Sequence, residues 1–153
     1  MSYAYGLMPM YGITASIGTS KASGGEWTYA PFGDGIDNLA EALNEVVQQY
    51  FFLTEKGFAK NHVTGMAPTF TATGRRVYGD AAQDYIFSQK YGLDAQRTSS
   101  FKMEYENEDG KTVTLVCPCT IANMQEFSGA TTDDSAISME IRFDGAPTIT
   151  TST

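Results

Sequence analysis

The 153-residue sequence predicts a mainly β fold: an antiparallel sandwich or barrel with one α-helix packed at its side or end. Three observations carry this. Ile137, Met139, Ile141 and Phe143 alternate with Ser138, Glu140 and Arg142, the period of a strand with one buried face. Phe101, Met103 and Tyr105, then Val113, Leu115 and Cys117, repeat that alternation on either side of Glu108-Asp109-Gly110, which makes the pair a hairpin. One segment has both a helix start and a helix stop, with Asp80 ahead of Ala81 and Gly92 after Tyr91.

In chain order, residues 1–26 are rich in Gly, Ser, Ala and Tyr, with little to bury except Ile13 and Ile17, and read as an arm or irregular edge. Trp27, Tyr29 and Phe32 form a short strand entering the turn Gly33-Asp34-Gly35. From Asp37 to Leu53 two patterns compete. Leu39, Leu43, Val46, Val47 and Tyr50 lie on a helical face, whereas Val46-Val47 and Tyr50-Phe51-Phe52 favour a strand; the expectation is helix, then strand. Thr54 to His62 is a loop whose Lys56, Gly57, Phe58 and Lys60 make a basic, partly apolar tip in an acidic chain.

Thr69, Thr71 and Thr73 then fall at period two, with Phe70 and Ala72 on the other face, before Gly79-Asp80 leads into a helix from Ala81 to about Tyr91. Gln83 completes an Asp-x-x-Gln capping box with Asp80. Ala82, Tyr85, Ile86 and Gln89 share a helix face, which makes Tyr85 and Ile86 core residues. In the following hairpin a two-residue Asp-Gly turn would set Tyr105 opposite Thr114. A three-residue loop with Gly110 left-handed pairs Tyr105 with Val113 and Met103 with Leu115, and matching the apolar faces selects it. A separate strand is expected from Thr120 to Phe127, then the alternating strand through Phe143, a turn at Asp144-Gly145 and an extended threonine-rich tail from Pro147 to Thr153. Residues 1–153 are expected to form a single domain with an N-terminal arm (about 1–26) and a C-terminal extension (about 148–153).

Composition narrows the function. Ten Lys+Arg against 18 Asp+Glu give a net charge of −8, which argues against the electrostatic grip on phosphates used by general nucleic-acid binders. MSYAYGLMPMYG has neither a basic nor a continuous apolar leader region, and no later run approaches the ~20 apolar residues of a membrane span, so an unexported chain without a span is expected. Cys117 and Cys119 flank Pro118, too close for relaxed disulfide geometry, and are expected as reduced, buried thiols. His62 has no Ser, Cys or carboxylate at a catalytic spacing, and Asp133-Asp134 lacks the ligand spacing of a calcium loop. No catalytic residue, metal or cofactor is expected. Arg75 and Arg76, in so acidic a chain, are expected to pair with carboxylates of this subunit or a neighbour. Nine Tyr, nine Phe and one Trp exceed what one small core requires, which assigns some of Tyr3, Tyr5, Tyr11, Tyr50, Phe51 and Phe58 to subunit contacts.

The order and spacing of several short motifs resemble the major tail tube proteins of bacteriophages, particularly those with long, flexible, non-contractile tails. The motifs are Asp34-Gly35-Ile36, Asn44-Glu45-Val46 leading to Tyr50-Phe51-Phe52, Gly57-Phe58-Ala59, Val63-Thr64-Gly65, Gly74-Arg75-Arg76-Val77-Tyr78-Gly79-Asp80, Ala82-Gln83-Asp84-Tyr85-Ile86, and Ser135 to Gly145. The resemblance implies a β-sandwich subunit with a flanking helix that closes into hexameric rings. It further implies that the rings stack into a virion tail tube, assembled in the bacterial host cytoplasm around a tape measure protein, capped by a tail terminator and joined to tail tip or baseplate proteins. Double-stranded DNA would pass through without specific binding. A chain this size has a radius of gyration of ~15 Å, so several subunits must share the task of surrounding a duplex. A carboxylate-lined lumen would let phosphates slide, with Glu104, Glu106, Glu126 and Glu140 as candidates. Lys56 and Lys60, with Phe58 between them, would dock on an acidic surface of the next ring. Two alternatives are the inner tube of a contractile tail or injection system and, in a different class, a monomeric β-sandwich binding module.

Overall fold

The computed structural model describes residues 6–153. Its elements are β1 (Thr14–Lys21), β2 (Trp27–Pro31), β3 (Ile36–Ala42), β4 (Val46–Tyr50), β5 (Lys60–Gly65), β6 (Thr69–Arg75), α1 (Ala81–Ser88), β7 (Thr98–Glu106), β8 (Thr112–Gln125), β9 (Ala136–Phe143) and β10 (Thr148–Thr151). Every strand pairing is antiparallel. The main sheet runs β2-β1-β7-β8-β9-β6-β3 with β10 also on β8, and β4 and β5 stand apart as a two-stranded hairpin. The fold is the mainly β, antiparallel arrangement with one α-helix that the alternating segments predict.

The sheet doubles over on β8. Along one edge β7 follows it from Thr112 to Thr120; along the other, Val113 to Val116 pair with β10, and the partner from Cys119 onward is β9. The exchange of partners falls at Pro118. Its carbonyl accepts a hydrogen bond from the Asp144 N–H at 2.8 Å. The N and C=O of one strand residue point to the same edge, so the donorless proline nitrogen faces the gap between β10 and β9, where no bond is lost. The expected break between strands at Cys117 and Thr120 is therefore absent, and β8 is one continuous strand through its proline.

The two halves face each other across a shared core. The Phe101 ring on β7 lies 5.1 Å from that of Phe70 on β6, and Phe143 completes the cluster at 5.8 and 6.0 Å. Ile17, Cys117, Cys119, Ile121, Ile137, Met139 and Ile141 fill the rest, and α1 adds Ala82, Ile86 and Phe87 against β1 and β2. Each large apolar side chain so buried contributes roughly 1.5–3 kcal/mol.

Three expectations change. Thr14–Lys21 is an interior strand between β2 and β7, not part of an arm or irregular edge. Its small residues serve packing: a Cβ on Gly18 would come within 2.6 Å of the Trp27 ring. The helix expected after Asp37 is instead β3, paired with β6 from Ile36↔Gly74 to Ala42↔Thr69. Its backbone groups find partners on β6, and Asn44, left-handed at φ 50°, turns the chain before β4. Finally, α1 ends at Ser88, three residues short of Tyr91, in tight turns that close with the Gly92 N–H on the Gln89 carbonyl at 2.9 Å. The β7–β8 register pairs Tyr105 with Val113 and Met103 with Leu115, with Gly110 at φ 78°, as the matching of apolar faces requires.

Candidate assembly surfaces

A rigid joint fixes α1 to the sheet. Gly74, near the end of β6, lies so close to the turn before β3 that a Cβ on it would meet the Gly35 carbonyl oxygen at 2.0 Å. This contact leaves carbonyls of the turn and of β6 facing α1. Asp80 caps the helix by accepting the Gln83 N–H at 3.0 Å. The Gln83 side chain does not return to Asp80 as a capping box would have it. Fully buried, it donates to the Asp34 and Arg75 carbonyls at 2.9 and 3.1 Å and accepts the Val77 N–H at 2.9 Å. Leaving such groups unpaired inside the protein would cost ~1–3 kcal/mol each, so satisfying them outweighs the second half of the box. Ile86 is fully buried behind this joint, and Tyr85 is half-buried against the core.

Beside the joint, Arg76 meets Glu126 at 2.8 Å and Asp84 at 3.0 Å, and Lys90 meets the other Glu126 oxygen at 2.5 Å. Burial alone would raise the Glu126 carboxyl, but the hydrogen bonds from Arg76 and Lys90 outweigh it and hold the group below its ordinary value. Glu126 therefore lies inside a compensated charge cluster with a side chain 9% exposed, which removes it from the open acidic surface expected of it. Glu104 pairs with Lys102 at 3.3 Å, and Glu140 with Arg142 at 3.0 Å and with Asn123. Glu104 and Glu106 sit on the outward face of β7 and Glu140 on the outward face of β9, in register with Thr114, Thr112 and Ala122 of β8. Of the four carboxylates, Glu126 is the one set apart by its burial.

The β4–β5 hairpin is built differently. Its ladder runs from Val46↔Gly65 to Tyr50↔Lys60, and all of it except Gly65 is exposed. Two-stranded ribbons of this kind are marginal alone in water. At the tip stand Phe51, Phe52, Leu53 and Phe58, with Leu53 98% and Phe58 77% exposed. The Tyr50 and Phe52 rings stack at 5.7 Å. Lys60 pairs with Glu55 at 3.2 Å, while Lys56, left-handed at φ 55°, has no ion pair among the described residues. At the base, the Asn44 side chain donates to the Ala67 carbonyl at 3.0 Å and the Ala67 N–H to the Leu43 carbonyl at 2.9 Å. The tip thus leaves an exposed apolar surface with no cover among the described residues.

The structure thus brings Tyr50, Phe51, Lys56, Phe58 and Lys60 together on one hairpin. Tyr11 lies elsewhere, 92% exposed beside a groove of about 400 Å³ lined by Met10, Ile13, Ala15, Phe32, Ile36 and Leu39, with Asp37 also in its lining. Tyr3 and Tyr5 fall outside the described residues. Sequence reasoning did not single out Leu53, Val46, Val47 and Val63, which are exposed on the same hairpin; the signal was the adjacent pair Val46-Val47, which puts apolar groups on both faces of one strand. Nor did it single out Tyr78, Tyr91 and Phe127, exposed rings that lie against Arg76 and Lys90 of the charge cluster. His62 is exposed on the hairpin, and among the described residues no group of His, Cys, Asp and Glu side chains converges as a metal site requires. Both cysteines are free and fully buried, and burial pushes the Cys119 thiol up to about 12, a value that makes it inert. Among the described residues no helix is long and apolar enough to cross a membrane.

Comparison with solved structures identifies the class of architecture. A chain of the tail of an empty gene transfer agent particle, refined with C6 symmetry, aligns over 94% of this chain and 99% of its own at a TM-score of 0.69 and 11% identity. A chain of the tube-terminating cap of the anti-feeding prophage aligns over 99% and 95% at 0.61 and 14% identity. A chain of the sheath–tube complex of an extracellular contractile injection system in its extended state aligns over 96% and 92% at 0.58 and 10% identity. No protein-family model and no curated protein matches the sequence. The chain has the fold shared by these components of tails and tubes.

Proposed function

We propose that this chain is the structural subunit of a phage-type tail tube, closing into hexameric rings that stack into the conduit for DNA delivery. One observation carries the reading: a sandwich with its own buried core projects an exposed hairpin that carries apolar side chains on both faces and an apolar tip. Such a hairpin makes sense when neighbouring copies cover it. The C6 symmetry of the similar gene transfer agent tail supports six subunits per ring. On this reading the chain is not an enzyme, resides in the virion, and meets a tape measure protein, a tail terminator and tail tip or baseplate proteins. On the same reading the acidic lining is drawn from Glu104, Glu106 and Glu140 on the outward face of the sheet, with Glu126 held in its ion pairs.

A long, flexible, non-contractile tail is the form that the motif order favours. The likeness to the contractile injection system's sheath–tube complex favours a second reading, in which the same subunit forms the inner tube of a contractile machine. A sheath layer around particles from the native source would select the second. Negative-stain microscopy of the purified chain tests both: tubes with a regular axial repeat, or six-membered rings, are expected. A monodisperse monomer at high protein concentration would overturn them in favour of a monomeric binding module.

A further inference from the structure

We infer that the acceptor for the β4–β5 hairpin tip is the groove between the Met10–Gly12 turn and the Phe32–Leu39 segment of a second copy of this chain. The inference rests on the tube reading and names the contact that this reading leaves open. Shape and chemistry match. The tip is convex and apolar through Phe51, Phe52, Leu53 and Phe58, while the groove is concave, about 400 Å³, and lined by Met10, Ile13, Phe32 and Ile36 together with the polar Asp37 and Asn38. That volume is in the range of pockets that take bulky apolar groups. Charge matches as well. Lys56 at the tip and Asp37 in the groove are both exposed, and among the described residues neither is in an ion pair.

The exposure of the tip makes the contact intermolecular. The groove lies at the Ile36 end of β3, and the hairpin continues from the other end, past Ala42. No tip residue lines the groove of its own subunit, and Leu53 and Phe58 stand 98% and 77% exposed. Each subunit therefore presents a donor at one end and an acceptor at the other. Contacts between unlike surfaces of this kind propagate from copy to copy instead of closing a two-fold pair.

A charge swap tests the assignment on the full chain. Lys56→Glu and Asp37→Lys, made singly, are expected to raise the protein concentration needed for assembly at least tenfold, and the double variant to restore it to near the original. A double variant as defective as the worse single variant, or single variants that assemble normally, would overturn the assignment. A second measurement is independent of charge. With Cys117 and Cys119 fully buried, Phe58→Cys combined with Asp37→Cys offers only the introduced thiols to a short bis-maleimide. A ladder of covalent oligomers is expected from assembled protein, and its absence would reject the contact. Failure of the unmodified chain to assemble would defeat the tube reading itself; assembly without rescue or ladder would defeat only this acceptor.

Discussion

In β9, Ile137, Met139 and Ile141 are each at most 2% exposed and alternate with Ser138, Glu140 and Arg142; in β4, Val46, Val47 and Tyr50 are each about half exposed and do not alternate. Both strands are apolar and both are antiparallel. The difference is where their partners are. A strand that alternates has one face buried within its own subunit, whereas β4 carries apolar groups on both faces and finds no cover for either within its own subunit. The sandwich is thus a finished structure and the hairpin an unfinished one.

The comparison breaks first at the core. Ile141→Ala, at a fully buried site, is expected to lower the unfolding free energy by ~2–5 kcal/mol in a denaturant titration. A loss below ~1 kcal/mol would mean that the two halves of the sandwich do not share one core. The charge cluster gives an intermediate effect that depends on pH. Because the folded Glu126 carboxyl is held below its ordinary value, its contribution is complete above the unfolded carboxylate range and is lost as pH falls through the folded value. Acidification should therefore destabilise the wild type more than Glu126→Gln, and parallel stability curves for the two would remove Glu126 as the cause. The smallest change in stability is expected at the hairpin. Leu53→Ser should shift the unfolding free energy by no more than ~0.5 kcal/mol while preventing regular assemblies in micrographs. A large loss of stability at Leu53 would place the hairpin within the folding unit and erase the contrast.

The legible parts of the fold were those where one residue type settles one geometry. Alternation in β7, β8 and β9 displayed the inward face, and Gly110 with the apolar matching selected the hairpin register. The failures occurred where the deciding partner is distant in sequence. Thr14–Lys21 contains few large apolar residues, and its place between β2 and β7 follows from neighbours such as Trp27 and Phe101. The spacing of Leu39, Leu43 and Val46 suits a helix, yet β6, some thirty residues later, offers hydrogen-bond partners that a helix would forgo. At the candidate contact sites, aromatic excess pointed to Tyr50, Phe51 and Phe58. The grouping of these residues with Leu53 and Val63 depends on the β4–β5 ladder, and the burial of Glu126 depends on Arg76 and Lys90, which are distant in sequence.

Pro118 also guards the alignment of the longest strand. Sliding β8 by one residue against β7 would require the strand to rotate half a turn about its axis, turning the proline nitrogen toward β7 and carrying Cys117, Cys119 and Ile121 out to solvent. The ladder would forfeit a hydrogen bond within its longest pairing, and the core would lose four of its members at once, Leu115 with the other three. A residue that costs nothing in the native alignment thus penalises the nearest wrong one, and β8 carries its own proofreading against slippage.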